Sequence, residues 1–272
     1  MTSISWCDYS WNPITGCSYA GPECTNCYAE RLSLEHGRSD SQWLPQHAEE
    51  NLAVHPARLD EPDEFDYPDG FGRVFVCSMS DLFHPLVAEE VIESVVQTAW
   101  DHPEHIWLFL TKRPERAADL SLNWPANAWV GTSVGSGPGG EYADTTHRIN
   151  ALRDVDAETR WVSFEPLIEP VGGLIGPYPD LSGIDWVVVG GESEPDDDVR
   201  RDMNEDWAHA IYQAAREQDV PFYFKQQSGR QPESDIRLTV KNEQFDVWGE
   251  EVIRQTVAPP ERTARARAQL QE

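Results

Sequence analysis

The sequence predicts an α/β fold, a parallel barrel or partial barrel of six to seven strand–helix units. Short apolar runs rich in β-branched residues alternate with segments spaced as amphipathic helices, as expected for parallel strands joined by right-handed crossovers. Most of these apolar runs show no polar alternation, which indicates strands that are covered on both faces. The chain has 272 residues, which is enough for one domain of this size.

The predicted elements follow in chain order. A short strand is expected around residues 12–15, and residues 28–36 have the spacing of a helix that stops at Gly37. Residues 37–72 are polar and contain proline, so they are predicted to form an excursion or lid. The predicted strands that follow are 74–79, 106–110, 129–134, 160–164, 186–189 and 222–224. The predicted helices between them are 87–100, 114–121, 142–155 and 205–218.

The carboxyl-terminal part differs from the predicted barrel domain, which spans residues 1–230. Residues 231–257 are predicted to form a hairpin extension, because apolar residues alternate with polar ones on both sides of residues 241–244. Residues 258–272 contain a Pro-Pro pair and no apolar stripe, so a mobile tail is expected there.

The composition is strongly acidic, with 48 acidic and 21 basic residues and a net charge of −27. Lysine is rare (Lys112, Lys225 and Lys241), and acid excess with few lysines predicts a halophilic host or its virus, since molar salt screens self-repulsion. This charge argues against broad nucleic-acid binding, although a local basic site stays open. With no apolar run of membrane-spanning length and no signal-like start, a cytoplasmic protein without a membrane partner is expected, in the host cell if the protein is viral.

Three of the five cysteines, Cys17, Cys24 and Cys27, are spaced C-x6-C-x2-C in a segment rich in glycine and proline. Clustered cysteines in an odd total indicate a reducing compartment and a metal rather than disulfides. Three thiolates suggest a soft metal centre with one open position. The alternative is a zinc site completed by a histidine or aspartate, for instance His36 or His84. The other two cysteines, at positions 7 and 77, are expected to be packed thiols.

Polar residues follow nearly every predicted strand, and this edge of a parallel barrel is where active sites form. They are Ser78, Ser80, Asp81, Lys112, Arg113, Ser133, Glu165, Glu192 and Lys225. Several of them also have a structural interpretation: Asp81 as the cap of a helix beginning near Pro85, and Lys112 with Arg113 as a surface pair. Glu165 and Glu192 are equally well explained as halves of buried ion pairs with Lys112 or Lys225.

Several motifs resemble a phage-encoded three-cysteine family of unknown function that is described as radical-SAM-like. They are Trp11-Asn12-Pro13-Ile14-Thr15-Gly16-Cys17, Cys24-Thr25-Asn26-Cys27-Tyr28, Ser78-Met79-Ser80-Asp81, Leu110-Thr111-Lys112-Arg113-Pro114, Ser163-Phe164-Glu165-Pro166 and Gly190-Gly191-Glu192-Ser193. The likeness covers roughly residues 1–230. The first gap between cysteines is longer than the C-x3-C-x2-C spacing of familiar radical-SAM proteins, and Asn26 replaces a frequent aromatic residue.

The resemblance implies a radical-SAM-like barrel in which Cys17, Cys24 and Cys27 hold a [4Fe–4S] cluster that binds S-adenosylmethionine. On this hypothesis Asp81 contacts the methionyl amino group, and Lys112 or Arg113 meets its carboxylate or an anionic substrate. Cofactor binding is assigned to Ser78, Ser80, Asp81, Arg113 and Ser133, and catalysis to Lys112, Glu165, Glu192 and Lys225. An external electron donor is required.

The first hypothesis is therefore a radical enzyme that abstracts hydrogen from an unknown substrate. A nucleobase or nucleic acid is one candidate, with Trp43, Trp107 or Trp129 to stack a base. The second hypothesis is a zinc-stabilised binding or accessory protein of a phage or mobile element that performs no radical chemistry. Metal-dependent hydrolysis is not favoured, because the eight histidines form neither H-x-H nor H-E-x-x-H.

Overall fold

The structure is a computed structural model that describes residues 4–65, 67, 70–172, 178–242 and 247–257. The predicted tail at 258–272 lies outside these residues. The strands are β1 (Tyr9–Trp11), β2 (Ile14–Thr15), β3 (Ala53–Val54), β4 (Arg73–Val76), β5 (Ile106–Thr111), β6 (Ala128–Ser133), β7 (Thr159–Phe164), β8 (Trp186–Gly190), β9 (Phe222–Gln226), β10 (Leu238–Asn242) and β11 (Val247–Glu251). The α-helices are α1 (Tyr28–Glu35), α2 (Ala48–Asn51), α3 (Glu89–Asp101), α4 (Pro114–Asp119), α5 (His147–Arg153) and α6 (Glu205–Glu217).

Seven strands form one parallel sheet in the order β1-β4-β5-β6-β7-β8-β9. Each strand follows the previous one in both sequence and space, so every crossover runs in the same direction. Strands β1 and β9 are the two edges of the sheet, and the barrel is partial rather than closed. The predicted α/β partial barrel is confirmed.

The sheet separates two apolar layers. On one face, strand residues such as Trp107 and Phe109 pack with the apolar stripe of α3, which includes Ile92 and Val95. The opposite face is filled by Trp6, Trp129, Trp161 and Trp186, together with Phe75 and Leu108. Alternate residues of each strand point to opposite faces, so both faces of the strands are buried, as their continuous apolar runs predicted.

The burial of three tryptophans corrects one sequence hypothesis. Trp43, Trp107 and Trp129 are at most 5% exposed, so none of them presents a ring face to a nucleobase. Their proposed stacking role is wrong. In the layer around Trp129, the Trp161 and Trp186 rings are 5.2 Å apart, and packing accounts for these side chains.

Two predicted elements differ from the structure. The first sheet strand is β1, which ends before residue 12, whereas β2 joins β3 in a separate antiparallel pair. The predicted helix at 142–155 is reduced to α5, because other contacts hold the residues before it. The Glu169 carboxylate accepts hydrogen bonds from the backbone N–H groups of Glu141 and Tyr142, and Thr145 is hydrogen-bonded to Ser136.

The carboxyl-terminal residues protect one edge of the sheet. The predicted hairpin is present as β10 and β11, which pair antiparallel. After it, Phe224 N donates to Ile253 O (2.8 Å) and Gln255 N donates to Phe222 O (3.0 Å), so this segment covers β9. Glu233 then links it to the amino terminus, because its carboxylate accepts from Ser5 N and pairs with Arg254.

Residues 37–72, predicted to be an excursion or lid, contain α2 and β3 and contact the segment that carries the cysteines. Tyr19 N donates to Trp43 O (2.8 Å), and His55 N donates to Pro13 O (2.8 Å). In the described part of the chain, every helix is too short or too polar to cross a bilayer.

Candidate metal and cofactor site

The cysteine loop, residues 16–27, runs from β2 to α1 at the carboxyl edge of the sheet. Gly16 N donates to Met79 O (3.0 Å), and Ser80 Oγ donates to Gly16 O (2.6 Å), so the start of the loop lies against the segment after β4. Cys27 caps the amino end of α1. The fold therefore carries all three predicted metal ligands to the edge where the strands end.

The first residue of this loop has to be glycine. Gly16 has a φ of +80°, and a Cβ built on it would lie 1.8 Å from the Asn51 carbonyl oxygen. The close approach of α2 to the loop therefore depends on the missing side chain.

Burial favours the protonated form of two of the three thiols. Burial, with the nearby Asp81 charge, raises the pKa of Cys17 to about 12, and burial also raises the pKa of Cys27. Metal binding has to displace these protons, so it is coupled to pH.

The three cysteine sulfurs do not form a compact set of ligand atoms. Within the described residues, a single set of three potential ligand atoms lies within 4.8 Å of one another, and it is not the cysteine set. Two thiolates on one tetrahedral zinc ion would be about 3.8 Å apart, from a zinc–sulfur bond of about 2.3 Å. At least one pair of the sulfurs of Cys17, Cys24 and Cys27 is therefore farther apart than two thiolates on one zinc ion, so binding of any single metal ion requires rotation of the cysteine side chains.

Neither histidine named for a zinc site is placed to complete it. His84 Nδ1 accepts from Leu86 N (3.2 Å), so Nε2 carries the proton that is shared with Ser18 Oγ (2.8 Å). Burial, assisted by Arg113, lowers the pKa of His84 to about 4, which agrees with a neutral ring whose two nitrogens are occupied. His36 follows α1, about 13.5 Å along the helix axis from Cys27 at 1.5 Å per residue.

Asp81 is a buried structural acceptor. One carboxylate oxygen accepts from Thr111 Oγ1 (2.7 Å) and Phe83 N (3.0 Å). The other accepts from Lys112 N (3.0 Å) and Arg113 Nη1 (2.8 Å). Burial alone would raise the pKa of Asp81, but Arg113 and these hydrogen bonds hold it below its usual value.

These contacts correct two predictions for Asp81. Both oxygens are engaged, so neither is free to receive the methionyl ammonium group. The helix expected near Pro85 begins at Glu89 as α3, so Asp81 caps a local turn rather than a helix.

Lys112 and Arg113 point toward the cysteine loop and are not a surface pair. Arg113 donates to Ser18 O (3.0 Å) and lies 3.9 Å from Cys17 Sγ. Lys112 Nζ donates to Ser133 Oγ (3.4 Å). Burial opposes the charge of Lys112, but the neighbouring Cys24 and Glu23 keep its pKa above the usual value.

The serines named as cofactor ligands divide into two groups. Ser78 Oγ donates to Asn12 Oδ1 (3.3 Å), and Ser80 Oγ donates to the loop carbonyl of Gly16. The Ser80 hydroxyl therefore supports the start of the cysteine loop, whereas the Ser78 hydroxyl holds Asn12, four residues before it. Ser133 is 2% exposed and faces Lys112, so these two residues form one polar group at the ends of β5 and β6.

A fully buried ion pair that the sequence analysis missed anchors the middle of the loop. Glu23 Oε1 accepts from Arg148 Nη1 (3.1 Å) and Gly135 N (2.8 Å), and Arg148 also donates to Ala20 O (3.0 Å). A glutamate between two cysteines was a usable signal, whereas Arg148 in α5 looked like an ordinary helix residue.

Glu165 and Lys225 form the ion pair that the sequence allowed, at 3.0 Å, with side-chain exposures of 12% and 18%. Glu165 also accepts from Ser163 Oγ (3.0 Å). Glu192 pairs instead with Arg201, a partner that the sequence analysis did not name. Glu192 is 3% exposed and contacts the cysteine loop through Asn26.

Beside the loop lies a cleft of about 680 Å³, between the cysteine loop, the residues around α2 and the turn after β4. Its lining includes Tyr19, Gln46, Leu86, Lys112 and Arg113. Both cationic side chains predicted to bind the cofactor or substrate therefore line an open space next to Cys17.

The compact set of potential ligand atoms lies elsewhere, in the turn before β5. It consists of His102, Glu104 and His105. His105 Nδ1 accepts from Gly72 N (3.2 Å), so Nε2 carries the proton that points to Glu104 Oε1 (3.3 Å). A metal ion bound to Nε2 would require the proton to move to Nδ1, where it would face the backbone N–H group of Gly72. This set is therefore a hydrogen-bonded cluster rather than a metal site.

The chain was compared with known proteins, and no curated protein matches it. A spore photoproduct lyase with a cysteine-to-serine substitution matches with a TM-score of 0.45 and 14% identity, over 93% of this chain and 71% of that one. The same values hold for a double mutant of that lyase with bound AdoMet and dinucleoside spore photoproduct. A tyrosine-to-phenylalanine mutant matches with a TM-score of 0.43 and 13% identity, over 99% and 73% of the two chains. Likeness at this level supports no functional conclusion.

The sequence itself matches one family model, described as "Protein of unknown function (DUF5131)". The match spans residues 1–257, which is nearly the whole chain. The chain therefore belongs to the DUF5131 family.

Proposed function

We propose that this protein is a radical enzyme that uses S-adenosylmethionine and a [4Fe–4S] cluster held by Cys17, Cys24 and Cys27. The observation that carries the proposal is the set of three thiols on one loop at the carboxyl edge of a parallel partial barrel. Three thiolates leave one iron open for a cofactor. When bound, the two groups together supply a hydrogen-abstracting radical.

The residues around the loop have separate roles in this proposal. Lys112, held by its hydrogen bond to Ser133, binds the methionyl carboxylate, because its side chain lines the cleft beside the loop. Arg113 keeps the loop in place next to Cys17 while its guanidinium lines the cleft. Asp81 orients Lys112 and Arg113 rather than the cofactor.

Glu165 and Lys225 are the proposed contacts to the substrate. They lie at the ends of β7 and β9, are partly exposed, and present a donor beside an acceptor. The substrate is unassigned, and the net charge of −27 does not favour a nucleic acid. Reduction requires an external electron donor.

The rival function is a zinc-stabilised binding or accessory protein. It keeps the same loop but needs a fourth protein ligand, and both ring nitrogens of His84 are engaged in hydrogen bonds. Metal analysis separates the two functions directly.

The test is anaerobic purification in high salt, followed by iron, sulfide and zinc analysis and electron paramagnetic resonance of the reduced protein. We expect a reducible four-iron signal that S-adenosylmethionine perturbs and that is absent from the Cys17/Cys24/Cys27→Ala triple variant. One zinc ion per chain, with no uptake of iron on reconstitution, would instead establish the rival function.

A further inference from the structure

We infer that the Glu192–Arg201 ion pair is a positioning device that fixes Cys24 and Cys27 through Asn26 and the Pro22 carbonyl. The inference rests on the proposed function only in taking these two thiols as ligands. It replaces the catalytic role that the sequence analysis gave to Glu192.

The pair contacts the loop on both sides of Cys24. Asn26 Nδ2 donates to Glu192 Oε2 (2.8 Å) and to Val199 O (2.9 Å). Before the cysteine, Arg201 Nη1 donates to Pro22 O (2.8 Å). One ion pair thus holds one of the two residues between Cys24 and Cys27 and the turn that precedes both cysteines.

The pair is itself held rigidly. Glu192 Oε2 also accepts from Arg201 N (2.9 Å), and Oε1 accepts from the guanidinium. Gly229 N donates to Glu192 O (3.0 Å), which ties the glutamate to the segment after β9. The Arg201 guanidinium lies 5.5 Å from the centre of the Tyr142 ring. A buried carboxylate with this many partners has one preferred position.

These contacts suit positioning better than proton transfer. Both oxygens of Glu192 are already acceptors, and the residue is only 3% exposed, so it presents little surface to a substrate. Both donors of the Asn26 amide have acceptors as well, Glu192 and Val199. Partners of this kind orient metal ligands, and removing one typically weakens metal affinity by about 10- to 100-fold.

The experiment is a double-mutant cycle with Glu192→Ala, Asn26→Ala and both together, titrated anaerobically with Co²⁺. The thiolate-to-cobalt absorption band reports on the cysteine loop whether the resident group is iron–sulfur or zinc. Each single variant is expected to bind Co²⁺ about tenfold more weakly, and the double variant no more weakly than either single one. Glu192→Gln keeps an acceptor for Asn26, so it should recover part of the affinity.

Glu233→Ala is the matched control. Glu233 is likewise half of an ion pair, with Arg254 at 3.2 Å, but it bonds to Ser5 rather than to the cysteine loop. It should bind Co²⁺ as the parent chain does. Unchanged Co²⁺ affinity in Glu192→Ala and Asn26→Ala, or strictly multiplicative losses in the cycle, would overturn the inference. Absence of an iron cluster would overturn the proposed function and leave this coupling intact.

Discussion

At the scale of single residues, Gly16 provides a sharp test of the loop geometry. Gly16→Ala places a methyl group 1.8 Å from the Asn51 carbonyl oxygen at a φ of +80°. The left-handed conformation costs an alanine about 1–2 kcal/mol, and the clash with backbone adds about 1–3 kcal/mol. We expect lower stability in urea and weaker Co²⁺ binding, because α2 and the start of the loop have to separate.

Gly139→Ala separates the two costs. Gly139 has a φ of +86°, but a Cβ there meets no atom within 4 Å. The Gly139→Ala variant should lose only the conformational part of the unfolding free energy, about 1–2 kcal/mol, and should bind metal as the parent chain does. Equal losses in both variants would contradict the close contact with Asn51.

Lys112 tests the proposed cofactor contact. Lys112→Met keeps the aliphatic stem and removes the ammonium group that faces Ser133 and lines the cleft. A charge-assisted contact contributes about 1.5–3 kcal/mol, so S-adenosylmethionine should bind about 10- to 100-fold more weakly. Calorimetry measures the binding, and iron analysis shows whether the cluster persists. Lys225→Met is the comparison: it removes the other lysine at this edge and should leave cofactor affinity unchanged.

At the scale of elements, His102 links the turn between α3 and β5 to residues 61–64. Its ring nitrogens lie 3.2 Å from Asp63 and 3.5 Å from Glu104. The bond to Glu104, with the charge of Asp63, raises the pKa of His102 above its ordinary 6.5, although burial opposes the shift. The stabilisation is therefore fully present below pH 6.5 and is lost as the pH rises through the higher folded-state pKa.

Replacing His102 by Asn should remove this pH dependence. In the parent chain the free energy of unfolding should fall by about 0.5–1 kcal/mol between pH 6 and pH 8.5 from this residue, since Asp63 is largely exposed and weakens the interaction. Urea titrations at the two pH values measure it. His147→Asn, which removes an exposed histidine 3.7 Å from Glu115, is the control. Adding a metal chelator should not change the pH dependence of the unfolding free energy in the parent chain or in either variant.

The strands of the sheet could be predicted from the sequence more accurately than the start of α5. Strands β5 to β8 were located within about two residues, because both of their faces are buried and their apolar runs are unbroken. The helix expected at 142–155 was too long, because its first residues bond to Glu169, which is distant in sequence. The start of α5 thus depended on a tertiary contact that periodicity does not report.

In the candidate site, too, residues set by local sequence could be predicted and residues set by tertiary contacts could not. The three cysteines were predictable because their spacing is local, and Lys112 because it follows an apolar strand. Arg148 and Arg201 were not, because the loop residues that they hold, Glu23 and Pro22, lie 125 and 179 positions away. Asp81 lies at the strand end, as expected. Its carboxylate oxygens accept hydrogen bonds from Thr111 and Arg113, whereas the sequence hypothesis had it contact the methionyl amino group.

At the scale of the whole molecule, the net charge of −27 predicts salt-dependent stability. The screening length falls from about 10 Å at 0.1 M salt to about 3 Å at 1 M, so repulsion between exposed carboxylates weakens. We expect the melting temperature to rise by at least about 5 °C between 0.1 and 1 M KCl, at about 2–4 °C per kcal/mol.

Neutralising charge should reproduce part of this effect without salt. Asp154, Asp156 and Glu158 are exposed and have no partner among the ion pairs of the described chain. The variant Asp154→Asn/Asp156→Asn/Glu158→Gln should melt at a higher temperature than the parent at 0.1 M KCl and gain less from added salt.

Screening saturates once the screening length is shorter than the spacing of the charges, whereas stabilisation by solute exclusion continues to grow with concentration. A melting temperature that climbs linearly to 3 M KCl, with the same slope in parent and variant, would assign the effect to exclusion and remove the argument for adaptation to salt.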